Sequence, residues 1–308
     1  MNQKFLFIQH ESSDPYFNLA AEEYLLHNFE ENVVFLYVNQ PSVVVGKHQN
    51  AFDECQIEFC RENNIQIARR LSGGGTVFHG PGNLNFCFIK NGKETNKLID
   101  FKAHLDPVIS FLISIGIPAE YSGRNDILVD GFKVSGNAEH VFSKRKRVIH
   151  HGTLLFNADL KSLNQSIAPK STIEFETHAV KSVRSKVKNI VDLNVLQFDF
   201  QEFKKQLGTY LIKHYKSAVY ELKKPDLEQI NALVETKFGT WEWNFGYSPK
   251  FKAVLTLNDE RQVTLDVKKG VIDGCNTNDA GLSQQLQTCV GKRFLRETFS
   301  ALGFDVVL

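Results

Sequence analysis

The sequence predicts an α+β fold class. Three observations carry this. β-branched runs of strand length and amphipathic stretches of helix length are interleaved along the chain. No regular strand–helix–strand repeat orders them, as a doubly wound parallel sheet would require. The chain has 308 residues, 42% hydrophobic and 23% charged, enough for a sizeable core in one large domain or two ordinary ones. Disorder, collagen and a disulfide scaffold are excluded on the same composition.

The elements follow in order. Asp14 is a good N-cap and Pro15 suits a first helical position, so a helix should run from there through Leu26. Val33 to Val38 and Val43 to Val45 read as buried strands either side of the turn Gln40-Pro41-Ser42. Glu54 to Asn64 reads as helix, and a strand from Ile65 to Leu71 runs into a glycine cluster. In the next strand, Asn83 to Ile89, alternation puts Leu84, Phe86 and Phe88 on one face and Asn83, Asn85 and Cys87 on the other. A helix over Ala103 to Ser114 and several strands lead to an amphipathic helix over Asp199 to Lys216, with Phe203, Leu207 and Leu211 on one side.

Lys213 to Lys224 is polar and basic, and Pro225 ends it. The boundary expected here divides the chain into residues 1–222 and 226–308. The second part should open on a helix from Asp226 to Phe238 stopped by Gly239. Strands over Phe251 to Leu257 and Gln262 to Val267, joined through residues 258–261, a strand near Val271, and helices over Leu282 to Cys289 and Arg293 to Leu302 complete it.

Thirty-six Lys and Arg against 35 Asp and Glu leave a net charge of +1. That balance gives no global pull toward nucleic acid or an anionic membrane. The longest apolar runs are about six residues, against the roughly 20 that span a bilayer. The five cysteines are odd in number, and none stands in a C-x-x-C pair. With no apolar stretch of signal-peptide length at the start, a reducing cytoplasm is the expected location.

Four segments could carry chemistry. Arg69 to Asn83 holds Gly73-Gly74-Gly75 between two strands. Such amides can form an anion-binding concavity, and the fork of Arg70 beside them could pair with a phosphate. It is neither a Walker A loop nor a dinucleotide fingerprint; an ordinary glycine-rich hairpin is the plain alternative. The second segment spans Gly123 to Ala138, where Asp130-Gly131 signals a two-residue hairpin turn. That register puts Ile127, Val129, Phe132 and Val134 on a core face, and Asp126, Leu128, Lys133 and Ser135 on the other. Asp126 and Lys133 become diagonal neighbours, either a working pair or a surface ion pair. Third, His150 and His151 point to opposite faces of one strand, and His151 shares a face with Thr153. Fourth, Lys144 to Arg147 is either a solvated hairpin tip or an electropositive patch for a phosphate or an acidic partner.

In sequence order, these segments resemble the lipoate–protein ligase family. The resemblance rests on Asp14 to Leu25, Pro41 to Asn50, Arg69-Arg70-Leu71-Ser72-Gly73-Gly74-Gly75-Thr76-Val77-Phe78-His79, Gly123-Arg124-Asn125-Asp126, Lys133-Val134-Ser135-Gly136-Asn137-Ala138 and His150 to Leu155. Trp241 to Phe251 resembles the start of that family's small C-terminal accessory domain. Thr76, where alanine is common, and Asn137 are the departures.

The resemblance implies the biotin/lipoate ligase architecture of mixed sheets flanked by helices. It implies ATP and Mg²⁺ as cofactors. Lipoate would be activated to lipoyl-AMP and then transferred to a lysine of an acceptor lipoyl domain, in 2-oxoacid dehydrogenase E2 subunits or the glycine-cleavage H protein. Lys133 matches the family's essential lysine. Arg70 and the amides of Gly73, Gly74 and Gly75 would grip phosphate, with Thr76, Val77 and Phe78 along the nucleotide. Ser72, Asn83, Asp126, Gly136, Ala138, His151 and Thr153 are further pocket candidates by motif position. Asp126 would orient Lys133 or hold the metal, and the metal ligands stay open. The rivals are a transferase working through a thioester on Cys87, without ATP, and a non-catalytic lipoate-binding protein.

Overall fold

The computed structural model describes residues 4–92, 99–167, 173–193, 198–256 and 261–300. The chain opens with β1 (Phe5–Gln9), α1 (Pro15–Asn28), β2 (Asn32–Tyr37), β3 (Ser42–Val45), α2 (Ala51–Glu54), α3 (Ile57–Glu62), β4 (Gln66–Arg69), β5 (Val77–His79) and β6 (Asn83–Asn91). It continues with α4 (Phe101–Ser114), β7 (Ala119–Tyr121), β8 (Asp126–Val129), β9 (Phe132–Phe142), β10 (Arg147–Leu155), α5 (Leu160–Ile167), β11 (Ile173–Thr177), α6 (Phe200–Tyr215) and β12 (Ala218–Val219). It closes with α7 (Lys224–Leu233), α8 (Trp241–Asn244), β13 (Phe251–Thr256), β14 (Gln262–Lys268), β15 (Val271–Asn276), α9 (Ala280–Gln287) and α10 (Arg296–Ser300). The expected strand end at Leu257, most of the 258–261 connection and the expected helix end at 301–302 lie outside the described residues.

The frame is an eight-stranded mixed sheet ordered β12-β1-β2-β6-β10-β9-β8-β7. On one face, Leu84, Phe86 and Phe88 of β6 pack with Phe203, Leu207 and Leu211 of α6 and with α4. On the other, Cys87 and Ile89 meet Leu19, Leu25 and Leu26 of α1. The alternation read from β6 therefore sorts two cores. Asp14 caps α1 as expected, its Oδ1 accepting from the Tyr16 amide at 2.9 Å. A three-stranded sheet, β4-β3-β5, stands beside the large one. The helix expected over Glu54 to Asn64 is two short helices instead, broken at Cys55-Gln56.

Asp130 (φ 51°) and Gly131 (φ 77°) make the two-residue turn between β8 and β9. Val129 faces Phe132 and Leu128 faces Lys133, as the turn predicts. Beyond that the ladder shifts: Ile127 pairs with Ser135 and Asp126 with Gly136, leaving Val134 as the extra residue of a β-bulge. The bulge brings Ser135 to the face of Ile127, while Phe132, still opposite Val129, lies at the hairpin tip. Ile127, Val129 and Val134 are buried as expected, but Phe132 is 38% exposed and Ser135 is buried.

One further expectation changes, and packing crosses the expected boundary. In the basic run, Lys144 to Lys146 sit in the connection between β9 and β10, but Arg147 is buried. Its guanidinium donates to the carbonyls of Leu26 (2.9 Å), Glu31 (2.6 Å) and Phe29, neutralising the C-terminal end of α1. The break expected at 222–226 is crossed twice by packing. Pro225 opens α7 rather than closing a linker, and Ile230 packs with Leu19 and Leu25 of α1. Tyr24 and Tyr220 both donate to Asp226, at 2.7 and 2.8 Å. In the other direction, β11 is the edge of the four-stranded sheet β11-β13-β14-β15.

Candidate active site

Lys133 stands where two cavities meet. One, of about 200 Å³, reaches inward past Gly74, Gly75 and His151 to Leu19, Tyr37 and Val44. The other, of about 160 Å³, is walled by Phe78, Leu155, Leu163 and Ile167. Both share Thr76, Val77, Lys133, Gly136 and Thr153.

The amine is held from two sides. Asp126 Oδ1 lies 2.9 Å from Lys133 Nζ, with both side chains about one-fifth exposed. Beneath, Gly136 clears the way: a Cβ there would stand 2.9 Å from Lys133 Cε and 3.0 Å from Nζ. The bulge at Val134 is what brings Gly136 opposite Asp126.

Arg70 differs from the expectation. It is 5% exposed, and its guanidinium faces its own loop. Nη1 donates to Val44 O (3.0 Å), Nη2 to Gly73 O (2.6 Å) and Gly75 O (2.7 Å), and Nε to Ser72 Oγ (3.0 Å). Four donors of a five-donor fork are thus spent on the glycine bend and β3. Arg70 borders the cleft but acts as the loop's brace. Burial lowers it to about 10, well clear of neutral pH.

Ser72 joins that brace to a buried relay. Its Oγ lies 2.6 Å from His151 Nε2, and His151 Nδ1 lies 2.7 Å from Glu22 Oε2. Tyr37 donates to the other Glu22 oxygen at 3.0 Å. A carboxylate on Nδ1 sets that nitrogen as donor. Nearby, Asn39 Nδ2 lies 2.9 Å from His79 Nδ1. Burial, then Arg70 and His151, push His79 down to about 3, so it stays neutral.

Residues 180–188 form a strap across the cleft, which the sequence reading missed. Ser182 fastens it: its amide donates to Glu54 Oε1 at 3.0 Å, and its hydroxyl bonds Glu54 Oε2. The Thr76 amide donates to Ser182 Oγ at 2.8 Å, as does Gln49 Nε2 at 3.0 Å. Further on, Lys133 N donates to Lys186 O (2.9 Å) and Lys188 N to Lys133 O (3.1 Å), so the strap runs parallel to β9 there.

The model of the lipoyl protein ligase A/B catalytic domain matches residues 14–212. The chain belongs to that family. Lipoate-protein ligase LplJ of Bacillus subtilis (strain 168) is 37% identical to it over 287 residues, covering 88% of this chain and 83% of the relative. P. falciparum LipL1, solved in complex with lipoate, superposes with a TM-score of 0.66 at 24% identity, covering 97% of this chain and 93% of that one. A lipoate-protein ligase A solved with ATP bound has a TM-score of 0.66 at 21% identity, covering 80% and 100%. At those identities the two structures establish the shared fold. No described helix is long and apolar enough to cross a membrane.

In this lipoyl protein ligase, Lys133, Asp126, Gly74, Gly75, Thr76, Val77, Gly136, Ala138, His151 and Thr153 line the first cavity, and Phe78 the second. Ser72 and Gly73 stand behind the bend. Asn83 is buried and donates to Asn85 Oδ1 at 2.9 Å; Asn85, one step along β6, is the side chain that reaches the cleft. Cys87 is fully buried against Glu22 and does not line the cleft; burial raises its thiol well above the ordinary range. A thioester route through Cys87 has no accessible nucleophile. Leu19, Val44 and His79 lie in segments that carry the resemblance but were not singled out, and Tyr37 falls in a run that reads as a buried strand; all four line the first cavity.

Proposed function

We propose that this chain is an ATP-dependent lipoate–protein ligase. It forms lipoyl-AMP from free lipoate and passes the lipoyl group to a lysine of an acceptor lipoyl domain. One observation carries the reading: a single ammonium, Lys133, sits at the junction of two cavities. A reaction that joins a fatty-acid-like carboxylate to a nucleotide α-phosphate needs a cation at that meeting point.

We assign the inner cavity to the lipoyl chain. Leu19, Val44 and Tyr37 supply apolar wall, and each buried methylene contributes about 0.8 kcal/mol. The adjoining cavity, with Phe78 and Leu155, suits the nucleotide. In the first step a lipoate carboxylate oxygen attacks the α-phosphorus and pyrophosphate leaves. Two anions are brought together, so charge must be neutralised where the new bond forms. Lys133 meets this with a point charge. Asp126 keeps the ammonium in place, and Gly136 leaves it room. In the second step the acceptor amine attacks the acyl carbonyl, AMP leaves, and the amine's proton passes to solvent or phosphate. The same ammonium offsets charge on the departing phosphate.

Asp126 is the one carboxylate among the described residues that line either cavity. That donor set fits Mg²⁺, which keeps much of its water and binds through one or two carboxylates plus substrate phosphates. Bound there, Mg²⁺ would offset triphosphate charge. The acceptors we propose are lipoyl domains of 2-oxoacid dehydrogenase E2 subunits and the glycine-cleavage H protein. A cytoplasmic location suits the five cysteines, all of them free thiols.

The test is incubation of the protein with ATP, Mg²⁺, lipoate and a purified lipoyl domain. The expected product is a domain heavier by one lipoyl group, formed only with ATP and accompanied by lipoate-dependent ATP–pyrophosphate exchange. Lipoylation that proceeds without ATP would refute adenylate chemistry.

A further inference from the structure

We infer that the ridge formed by Phe132, Lys186 and Lys188 is the docking surface for the acceptor, and that it fits a domain presenting its target lysine amid carboxylates and an apolar edge. The inference rests on the ligase reading and adds the partner's surface to it.

The first observation is an aromatic side chain out of place. Phe132 is next to Lys133 in sequence, stands opposite Val129 at the tip of the hairpin, and its ring is 38% exposed. Large exposed aromatics are costly without a use, and rings of this kind are frequent anchors of interfaces. Lys188 Nζ stands 5.7 Å from the ring centroid. The strap strand carrying Lys186 and Lys188 is hydrogen-bonded to the backbone of Lys133 itself. Ring and cations are therefore fixed to the same short stretch of backbone as the working amine.

The second observation is charge. Residues 178–188 contain Lys181, Arg184, Lys186 and Lys188 and no carboxylate. Lys181 pairs with Asp53 at 3.3 Å, whereas among the described residues Arg184, Lys186 and Lys188 make no ion pair. Asp130, at the turn, is the one carboxylate of residues 127–135. A chain of net charge +1 thus concentrates cations beside the cleft mouth, the arrangement that steers an acidic partner.

The third is reach. A lysine side chain is short against the breadth of a folded domain, so an acceptor whose amine arrives at Lys133 must rest on the surface beside it. The other basic cluster, Lys144 to Lys146, begins past the end of β9. Nine residues of strand separate Lys133 from Phe142, about 30 Å at ~3.3 Å per residue. It is too remote to share that footprint.

The experiment separates the two half-reactions. Hydroxylamine traps lipoyl-AMP as a hydroxamate without a docked protein, and a purified lipoyl domain reports transfer. In Phe132→Ala, and in a Lys186→Glu/Lys188→Glu double variant, hydroxamate formation should stay within about twofold of wild type. KM for the lipoyl domain should rise about tenfold, and the double variant should lose most of its salt dependence. A Lys144→Ala/Arg145→Ala/Lys146→Ala variant should keep the wild-type KM. Unchanged acceptor KM with normal hydroxamate formation overturns the docking surface alone. A parallel fall in hydroxamate formation overturns it too, because the ridge then serves adenylation. A wild-type protein that forms no hydroxamate from lipoate and ATP overturns the ligase reading itself.

Discussion

Lys133 lies across Gly136 so closely that a methyl group on the glycine would stand 2.9 Å from Lys133 Cε. Gly136 has no left-handed φ, so alanine there meets a spatial obstacle and no backbone strain. Gly136→Ala should displace the amine and lower the adenylation rate about 10- to 100-fold, with a stability change within about 1 kcal/mol. Lys133→Ala should abolish lipoyl-AMP formation with the fold intact, since its side chain is about one-fifth exposed. Pyrophosphate exchange and a thermal melt check both. Full activity in Gly136→Ala would mean that the observed lysine rotamer is not the working one.

Arg70 should behave as a structural brace. Arg70→Lys keeps the charge and loses the fork that spans the Val44, Gly73 and Gly75 carbonyls, so part of that set loses its Arg70 donor. Each buried group left unpaired costs about 1–3 kcal/mol, so a loss of that order or more is expected in denaturant unfolding. Activity should fall for both substrates together. A lysine variant of normal stability with only its ATP KM raised would restore a direct phosphate contact.

The strap's fastening predicts a different signature. Ser182→Ala removes the hydroxyl that bonds Glu54 and accepts from the Thr76 amide. Losing such bonds at a partly exposed site costs about 1–2 kcal/mol locally. Trypsin, which cuts after Lys181 and Arg184, should nick the variant faster than wild type. Its ATP KM should rise by about 5- to 30-fold, the same energy read as affinity. Equal nicking rates in the two proteins would show that other contacts hold the strap.

Acid should weaken the fold through its buried histidines. Burial, then Arg70, hold His79 at about 3, and burial outweighs the Glu139 hydrogen bond to hold His150 at about 4, both below the ordinary 6.5. His10, His27 and His140 shift the same way. The folded state keeps these rings neutral while the unfolded chain takes up protons below pH ~6.5. Their stabilisation is therefore complete above that pH and is lost as pH falls, at about 1.4 kcal/mol per pH unit each for the two fully buried rings, down to about 4 for His150 and about 3 for His79. Urea midpoints at pH 7, 6 and 5 should drop successively, and His79→Asn should flatten the slope. A midpoint that rises on acidification through this range would contradict it.

Much of this was legible in the sequence because local chemistry agreed with the final packing. Asp14-Pro15 capped its helix, Asp130-Gly131 made its turn, and β6 sorted its residues between two cores. Alternation also put His151 and Thr153 together on the cleft. Most failures share one cause: partners distant in sequence decided them. Phe132 is a local exception: it keeps its predicted place opposite Val129 yet is exposed at the hairpin tip. Arg147 reads as part of a hairpin tip or basic patch, and Arg70 as a phosphate ligand, until carbonyls from α1 and β3 arrive around them. Residues 180–188 fall within a stretch read only as several strands, and their four cations without a carboxylate were not singled out.

The strand shared between the chain's two parts has a practical meaning for anyone who would cut it. A nick or stop codon near residue 222 leaves β11 with the longer fragment and its partners β13 to β15 with the shorter one. Arg69 is severed at the same stroke, because it donates to the carbonyls of Trp243 and Asn244 and to Ser248 Oγ, at 3.0, 2.8 and 3.0 Å. One fragment would carry a bare sheet edge and the other a guanidinium left with only the Gly46, Lys47 and Gln49 carbonyls, so the halves should be recovered active only when produced together.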